Sequence, residues 1–140
     1  MNRYNAAALI SRINDQAQKL ITSELEKRGI EGIVPSHGGV LMFLYRKDEL
    51  SVTELAEAIN RTQPTLTVLV NKLEKLGYVK RSKSREDQRV TLIGLTPKGR
   101  ELEPVFREVS DLLNETLYGG LSAEEGIELE RLLENVQDRF

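Results

Sequence analysis

The side chains able to do chemistry are few in this chain and unevenly placed. Its 140 residues include one histidine, His37, and no cysteine. Lack of thiols excludes disulfides, Cys-ligated zinc, iron–sulfur clusters, cysteine nucleophiles and thiol redox sensing. A single imidazole is too few for a multi-histidine metal site. No acid, base and nucleophile converge along the sequence, so neither an enzyme nor a metal or other cofactor is expected. What remains is a polar and basic run. Gln63, Thr65, Thr67, Asn71 and Lys72 carry amide, hydroxyl and ammonium groups that match base edges and phosphate oxygens. From 61 to 89, eight basic residues stand against three acidic ones, a net +5 in a chain whose formal charge is -2. From 101 to 140, eleven acidic residues stand against three arginines, a net of -8. A basic island on an acidic chain is the electrostatic footprint of phosphate binding.

These residues need elements to hold them. Leu9, Ile10, Ile13, Ala17, Leu20, Ile21 and Leu25 recur at helical spacing and predict a first helix over Asn5 to Arg28, stopped by Gly29 and Gly32. Pro35 opens a second helix that runs to Arg46 through the apolar stretch Val40 to Tyr45. Val34 is a poor N-cap for it, and Gly38 and Gly39 each cost about 1 kcal/mol relative to alanine, so packing must compensate. Ser51-Val52-Thr53-Glu54 is a capping box that starts a third helix with Val52, Leu55, Ala56 and Ile59 inward. After the break Asn60-Arg61-Thr62, Pro64 opens a fourth helix that buries Leu66, Leu69, Val70, Leu73 and Leu76 and ends at Gly77. Two short helices joined by such a turn form a helix-turn-helix. Its outward face carries Pro64, Val68, Asn71, Lys72 and Lys75, and suits a DNA groove.

Tyr78 to Arg81 and Val90 to Leu95 are rich in strand formers and flank the polar stretch Ser82 to Arg89, which predicts a hairpin with a charged tip. Thr96 then caps one long amphipathic helix from Pro97 to Leu117. Tyr118-Gly119-Gly120 breaks it, and a second capping box at Ser122 to Glu125 starts the last helix, with Ile127, Leu129, Leu132, Leu133 and Val136 on one stripe. The fold class expected is mainly α with a small β-hairpin wing: a winged helix-turn-helix flanked by N- and C-terminal dimerisation helices. One domain spans 1–140, with 1–34 and 104–140 as dimerisation helices and 35–103 as the winged helix-turn-helix. The terminal apolar stripes are wider than one small domain can cover, which suggests a core shared between two chains.

Leu50 to Ala56, Pro64 to Val79, Arg85-Glu86-Asp87-Gln88-Arg89-Val90 and Leu95-Thr96-Pro97-Lys98-Gly99, in this order, resemble the MarR family of transcriptional regulators. The resemblance covers essentially the whole chain. It implies a homodimer that meets pseudo-palindromic double-stranded DNA with one winged helix per subunit, more often as a repressor. It also marks Arg89 as the wing residue that reaches DNA, where a guanidinium is favoured in a narrow minor groove. Asp87 is expected to hold a wing arginine in place, and Lys83 and Arg85 to add phosphate contacts. Val68 departs from the family's usual arginine and suits a thymine methyl; Asn71 stands where aspartate is common. Ligands of such proteins often occupy a crevice between the dimerisation helices and the winged helix; His37 is the one titratable candidate near it, either as an effector contact or, the reading favoured here, as a packed or hydrogen-bonded histidine. With sulfur and multi-histidine chemistry excluded, an organic effector, or none, is what is left. The rival reading is a winged-helix protein–protein interaction module whose basic island docks an acidic partner. The chain has no apolar run near the roughly 18 residues of a membrane span and no targeting signal, so a cytoplasmic location is expected.

Overall fold

The computed structural model describes residues 3–140. In chain order these form α1 (Ala6–Lys27), α2 (Pro35–Lys47), β1 (Glu49–Ser51), α3 (Val52–Ala58), α4 (Gln63–Lys75), β2 (Val79–Lys83), β3 (Thr91–Leu95), α5 (Pro97–Glu101), α6 (Glu103–Tyr118) and α7 (Ala123–Gln137). The core lies in the middle of the chain. Leu41 and Leu44 of α2, Leu55 of α3, Leu66 and Leu73 of α4 and Ile93 of β3 are fully buried against one another. The apolar spacing of α4 thus folds onto α2 and α3 and leaves Val68 67% exposed on the opposite face.

Two elements differ from the sequence expectation. The sheet has three antiparallel strands in the order β1-β3-β2, rather than a bare hairpin. β1 pairs Glu49 with Gly94 and Ser51 with Leu92, whereas β2 pairs Val79 with Leu95 and Lys83 with Thr91. At three residues, running directly into the Ser51 cap, β1 is too short to show an alternating pattern. The single long helix expected after Thr96 is also divided, into α5 and α6, with the break at Leu102. Pro104 explains it. Proline has no N–H to give the carbonyl of Arg100, and its ring crowds that carbonyl, so the backbone tightens to a Leu102 N–H to Gly99 carbonyl bond of 3.3 Å.

The cap of α2 comes from His37, which is packed and hydrogen-bonded in the fold. The Val34 N–H donates to Nδ1 of His37 at 3.0 Å, so the imidazole closes the capping box for which the valine has no side-chain acceptor. Gly38 follows because the Phe106 ring of α6 lies against it; a Cβ there would sit 3.0 Å from Phe106 Cε1. At the other end of the core, Ser51 and Glu54 make the expected reciprocal cap of α3, and Ser122 and Glu125 that of α7.

The terminal helices are covered far less than the core. α1 packs on α6 and buries only Leu25 fully, and α7 buries only Gly126. Leu9, Ile10 and Ile13 at one end and Ile127, Leu132 and Val136 at the other are each at least 45% exposed. So many exposed apolar side chains on two helices are unusual for an isolated soluble domain. Among the described residues, no helix is long and apolar enough to cross a membrane.

Candidate nucleic-acid interface

The interface is built on the α3–α4 pair and the sheet beside it. Thr62 caps α4, accepting the Thr65 N–H at 3.3 Å, and Asn60 in the turn takes a left-handed backbone with φ 55°. Asparagine tolerates that region because its side chain is short and polar. Gln63 ties the two helices together, its Nε2 donating to the Thr53 hydroxyl at 3.2 Å. Thr65, Thr67, Val68 and Asn71 lie on the exposed side of α4. Lys72 is exposed too, but it lies toward the Gly32 turn, with its Nζ 3.6 Å from where a Cβ on Gly32 would be. That places it at the edge of the polar face rather than at its centre.

A set of hydrogen bonds fixes the far end of α4. Gly77, at φ 85°, lets the chain turn out of the helix, and the Tyr78 N–H donates back to the Leu73 carbonyl at 2.9 Å. The Thr96 hydroxyl then donates to the Gly77 carbonyl at 2.6 Å, while the Lys98 ammonium donates to the Leu76 carbonyl at 2.9 Å. The Thr96 oxygen also accepts the Gly99 N–H at 3.1 Å, and the Tyr45 phenol donates to the Gly99 carbonyl at 3.0 Å. Burial pushes the Tyr45 phenol up, which keeps it protonated and able to donate. Leu95-Thr96-Pro97-Lys98-Gly99 is therefore a clamp that sets the angle of α4 against the core. The sequence displays this segment as a motif, but not the carbonyls that it holds.

On the wing, Asp87 accepts three hydrogen bonds from Arg89: from the backbone N–H at 3.0 Å, from Nε at 3.1 Å and from Nη2 at 3.2 Å. The Arg89 side chain is 91% exposed, and its Nη1 edge is left clear of the carboxylate. Hydrogen bonds from Arg89 hold the Asp87 carboxyl below its usual range, so it stays ionised and keeps the guanidinium braced. Lys83 donates to the Thr91 hydroxyl at 3.1 Å, and Arg85 stands exposed in the loop beyond it. Among the described residues, only Arg81 and Arg89 of the eight bases between 61 and 89 pair with carboxylates. The remainder keep their positive charge available to an anionic partner.

His37 lies apart from this face. It is buried, and its Nδ1 is engaged by Val34, as described above. A cleft of about 300 Å³ opens nearby between α1, α2 and α3, lined by Gln18, Pro35, Ser36, Gly39, Phe43 and Arg61; His37 is not among its lining residues. Burial and then the charge of Lys72 lower the His37 pKa. The unfolded chain therefore binds a proton more readily, and stability is expected to fall as pH drops below about 6.5, the ordinary histidine value. Denaturant unfolding at pH 7.5 and 5.5 checks this. His37→Gln, whose side-chain oxygen can accept the same Val34 N–H, is expected to flatten the slope; an unchanged slope would assign it to other groups.

Residues 31–90 match the MarR family. Over 94 residues the chain is 37% identical to the uncharacterized HTH-type transcriptional regulator YdgJ of Bacillus subtilis, covering 67% of this chain and 57% of that protein. Over 97 residues it is 33% identical to the HTH-type transcriptional regulator SarZ of Staphylococcus saprophyticus, covering 69% of this chain and 64% of SarZ. The chain belongs to the MarR family. The aligned part spans between about half and two thirds of the length of these relatives. The fold extends further than the sequence match. MepR of S. aureus, in its DNA complex, superposes with a TM-score of 0.88 at 27% identity, covering 100% of both chains. A mutant MarR from E. coli, complexed with operator DNA, gives 0.83 at 25% identity, covering 97% of this chain and 99% of that one. Within the MarR frame, Gln63, Thr65, Thr67, Val68 and Asn71 line the exposed side of the second helix of the helix-turn-helix, and Lys83, Arg85, Asp87 and Arg89 lie in the wing. Arg81 is the side chain whose role sequence reasoning missed. It counted only as one base among eight, whereas in the fold it reaches from β2 to Glu74 and Asn71 of α4.

Proposed function

We propose that this MarR-family chain is a sequence-specific double-stranded-DNA-binding transcriptional regulator, and not an enzyme. It acts in the cytoplasm as a homodimer on a pseudo-palindromic operator, as a repressor. The observation that carries the reading is the exposed polar face of α4 with the braced, positively charged wing beside it. The fold is one that superposes end to end on MepR in its DNA complex. In this account Thr65, Thr67, Val68 and Asn71 meet base edges in the major groove, and Arg89 enters the minor groove. Gln63, Lys72, Lys83 and Arg85 hold the phosphates.

The same reading gives the uncovered apolar faces of α1 and α7 to a second copy, with 1–34 and 104–140 as the shared core and 35–103 as the reading head. A small organic effector in the cleft beside Gly39 and Arg61 would release DNA only by binding better to the spacing of heads that does not fit it. The test is enrichment of duplexes from a random-sequence pool by the purified chain. A recovered inverted repeat supports the reading. Weak, salt-sensitive retention without any motif would favour a module that docks an acidic protein.

A further inference from the structure

Asn71 sits on the exposed face of α4, three residues from the outward Val68. Its Oδ1 accepts a hydrogen bond of 2.5 Å from Nη2 of Arg81 on β2. The other arm of the same guanidinium, Nη1, is bonded and ion-paired to Glu74, three residues further along the helix. Arg81 is held in the sheet opposite Ile93, a fully buried residue, so its backbone position is fixed.

An asparagine amide normally turns either its oxygen or its nitrogen to a partner at little cost. Here that freedom is absent. A guanidinium has five N–H donors and no acceptor, so only the carbonyl oxygen of Asn71 can face it. The NH2 group must then point away from Arg81. Resting on the DNA-reading function proposed above, we propose that Arg81 is a specificity-positioning residue. It locks the Asn71 amide with its NH2 outward, so that α4 presents a donor and rejects cytosine at the base it meets. In the major groove, guanine O6 and N7, adenine N7 and thymine O4 accept such a donor, whereas cytosine offers only its own N4 amino group. An aspartate at 71 would also pair with Arg81 but would present an oxygen, with the opposite preference.

The test uses the full chain and the duplex recovered from the random pool, with each base pair of the half-site varied in turn. Asn71→Ala identifies the base pair concerned as the one whose discrimination disappears. There the unaltered chain is expected to disfavour cytosine about fivefold to tenfold, the scale of one base-edge contact. Arg81→Gln, which can donate or accept and so frees the amide to turn, is expected to bring that ratio near one while leaving the ratios at other positions intact. Arg81→Lys, a donor without an acceptor, is expected to keep most of it. Asn71→Asp is expected to reverse the preference toward cytosine. A merely structural role for Arg81 would instead lower affinity for all duplexes alike, and that result would overturn the proposal. So would an Asn71→Asp variant that still disfavours cytosine. If the unaltered chain recovers no motif at all, the DNA-reading function fails and this inference fails with it.

Discussion

Gly99→Ala is expected to destabilise the protein by about 3 kcal/mol or more, near the upper end of what inserting one methyl into a packed site does. A Cβ at this position would lie 2.1 Å from the Tyr78 carbonyl oxygen and 3.0 Å from its carbon. Both are backbone atoms, so no side-chain rotation relieves the clash. The same carbonyl accepts the Thr96 N–H at 3.1 Å, and Gly99 itself supplies one N–H and one carbonyl to the clamp. Moving either strand of the clamp breaks bonds that set α4. Thermal unfolding should show a midpoint lower by roughly 12 °C or more, taking about 4 °C per kcal/mol for a domain of this size. Gly39→Ala is the control: a Cβ there meets nothing within 4 Å, and the helix interior favours alanine. Its midpoint should stay level or rise. Equal midpoints for the two variants would mean that Tyr78 and Gly99 do not approach as closely as described.

Arg89→Ala is the second large effect, on binding rather than on stability. Removing one well-placed arginine contact costs about 1–3 kcal/mol, and a two-fold dimer loses it twice, so a loss of roughly 2–6 kcal/mol is expected when the two wings act independently. That corresponds to a Kd higher by between about 30-fold and 25,000-fold at constant salt. The side chain is 91% exposed and, among the described residues, bonded only to Asp87, so the fold should tolerate its removal, and thermal unfolding should be nearly unchanged. The two readouts separate an interface residue from a structural one. Unchanged affinity for the recovered duplex would remove the wing from the mechanism.

Much of this architecture is legible in the sequence because the cues are local. The leucine spacing of α4 and the Ser51 and Ser122 capping boxes each depend on residues within one or two turns, and each lies where the spacing places it; α4 itself starts one residue before Pro64, at Gln63 with Thr62 as its cap. The expectations that missed involve partners distant in sequence. Glu49–Ser51 becomes a strand only because β3, more than forty residues later, offers it an edge. The division of α5 from α6 was available locally in Pro104, but the amphipathic stripe running across it masked the break. Within the interface, residue types identified the polar face, yet they did not reveal which groups are already engaged. Gln63 is tied to Thr53, Asn71 to Arg81 and His37 to Val34, and each bond depends on two elements meeting at a particular angle or on a cap geometry. The charge census likewise counted Arg81 with the bases, although Glu74 neutralises it.

Two copies, joined through the uncovered faces of their terminal helices, are expected to read two successive turns of one DNA duplex. Hydroxyl-radical cleavage of the recovered duplex in complex with the protein, at a stoichiometry fixed by sedimentation, tests it most directly. Two chains per duplex and two symmetric protected tracts are expected, with centres about 10 base pairs, or roughly 34 Å, apart. A single protected tract with one chain bound would contradict it.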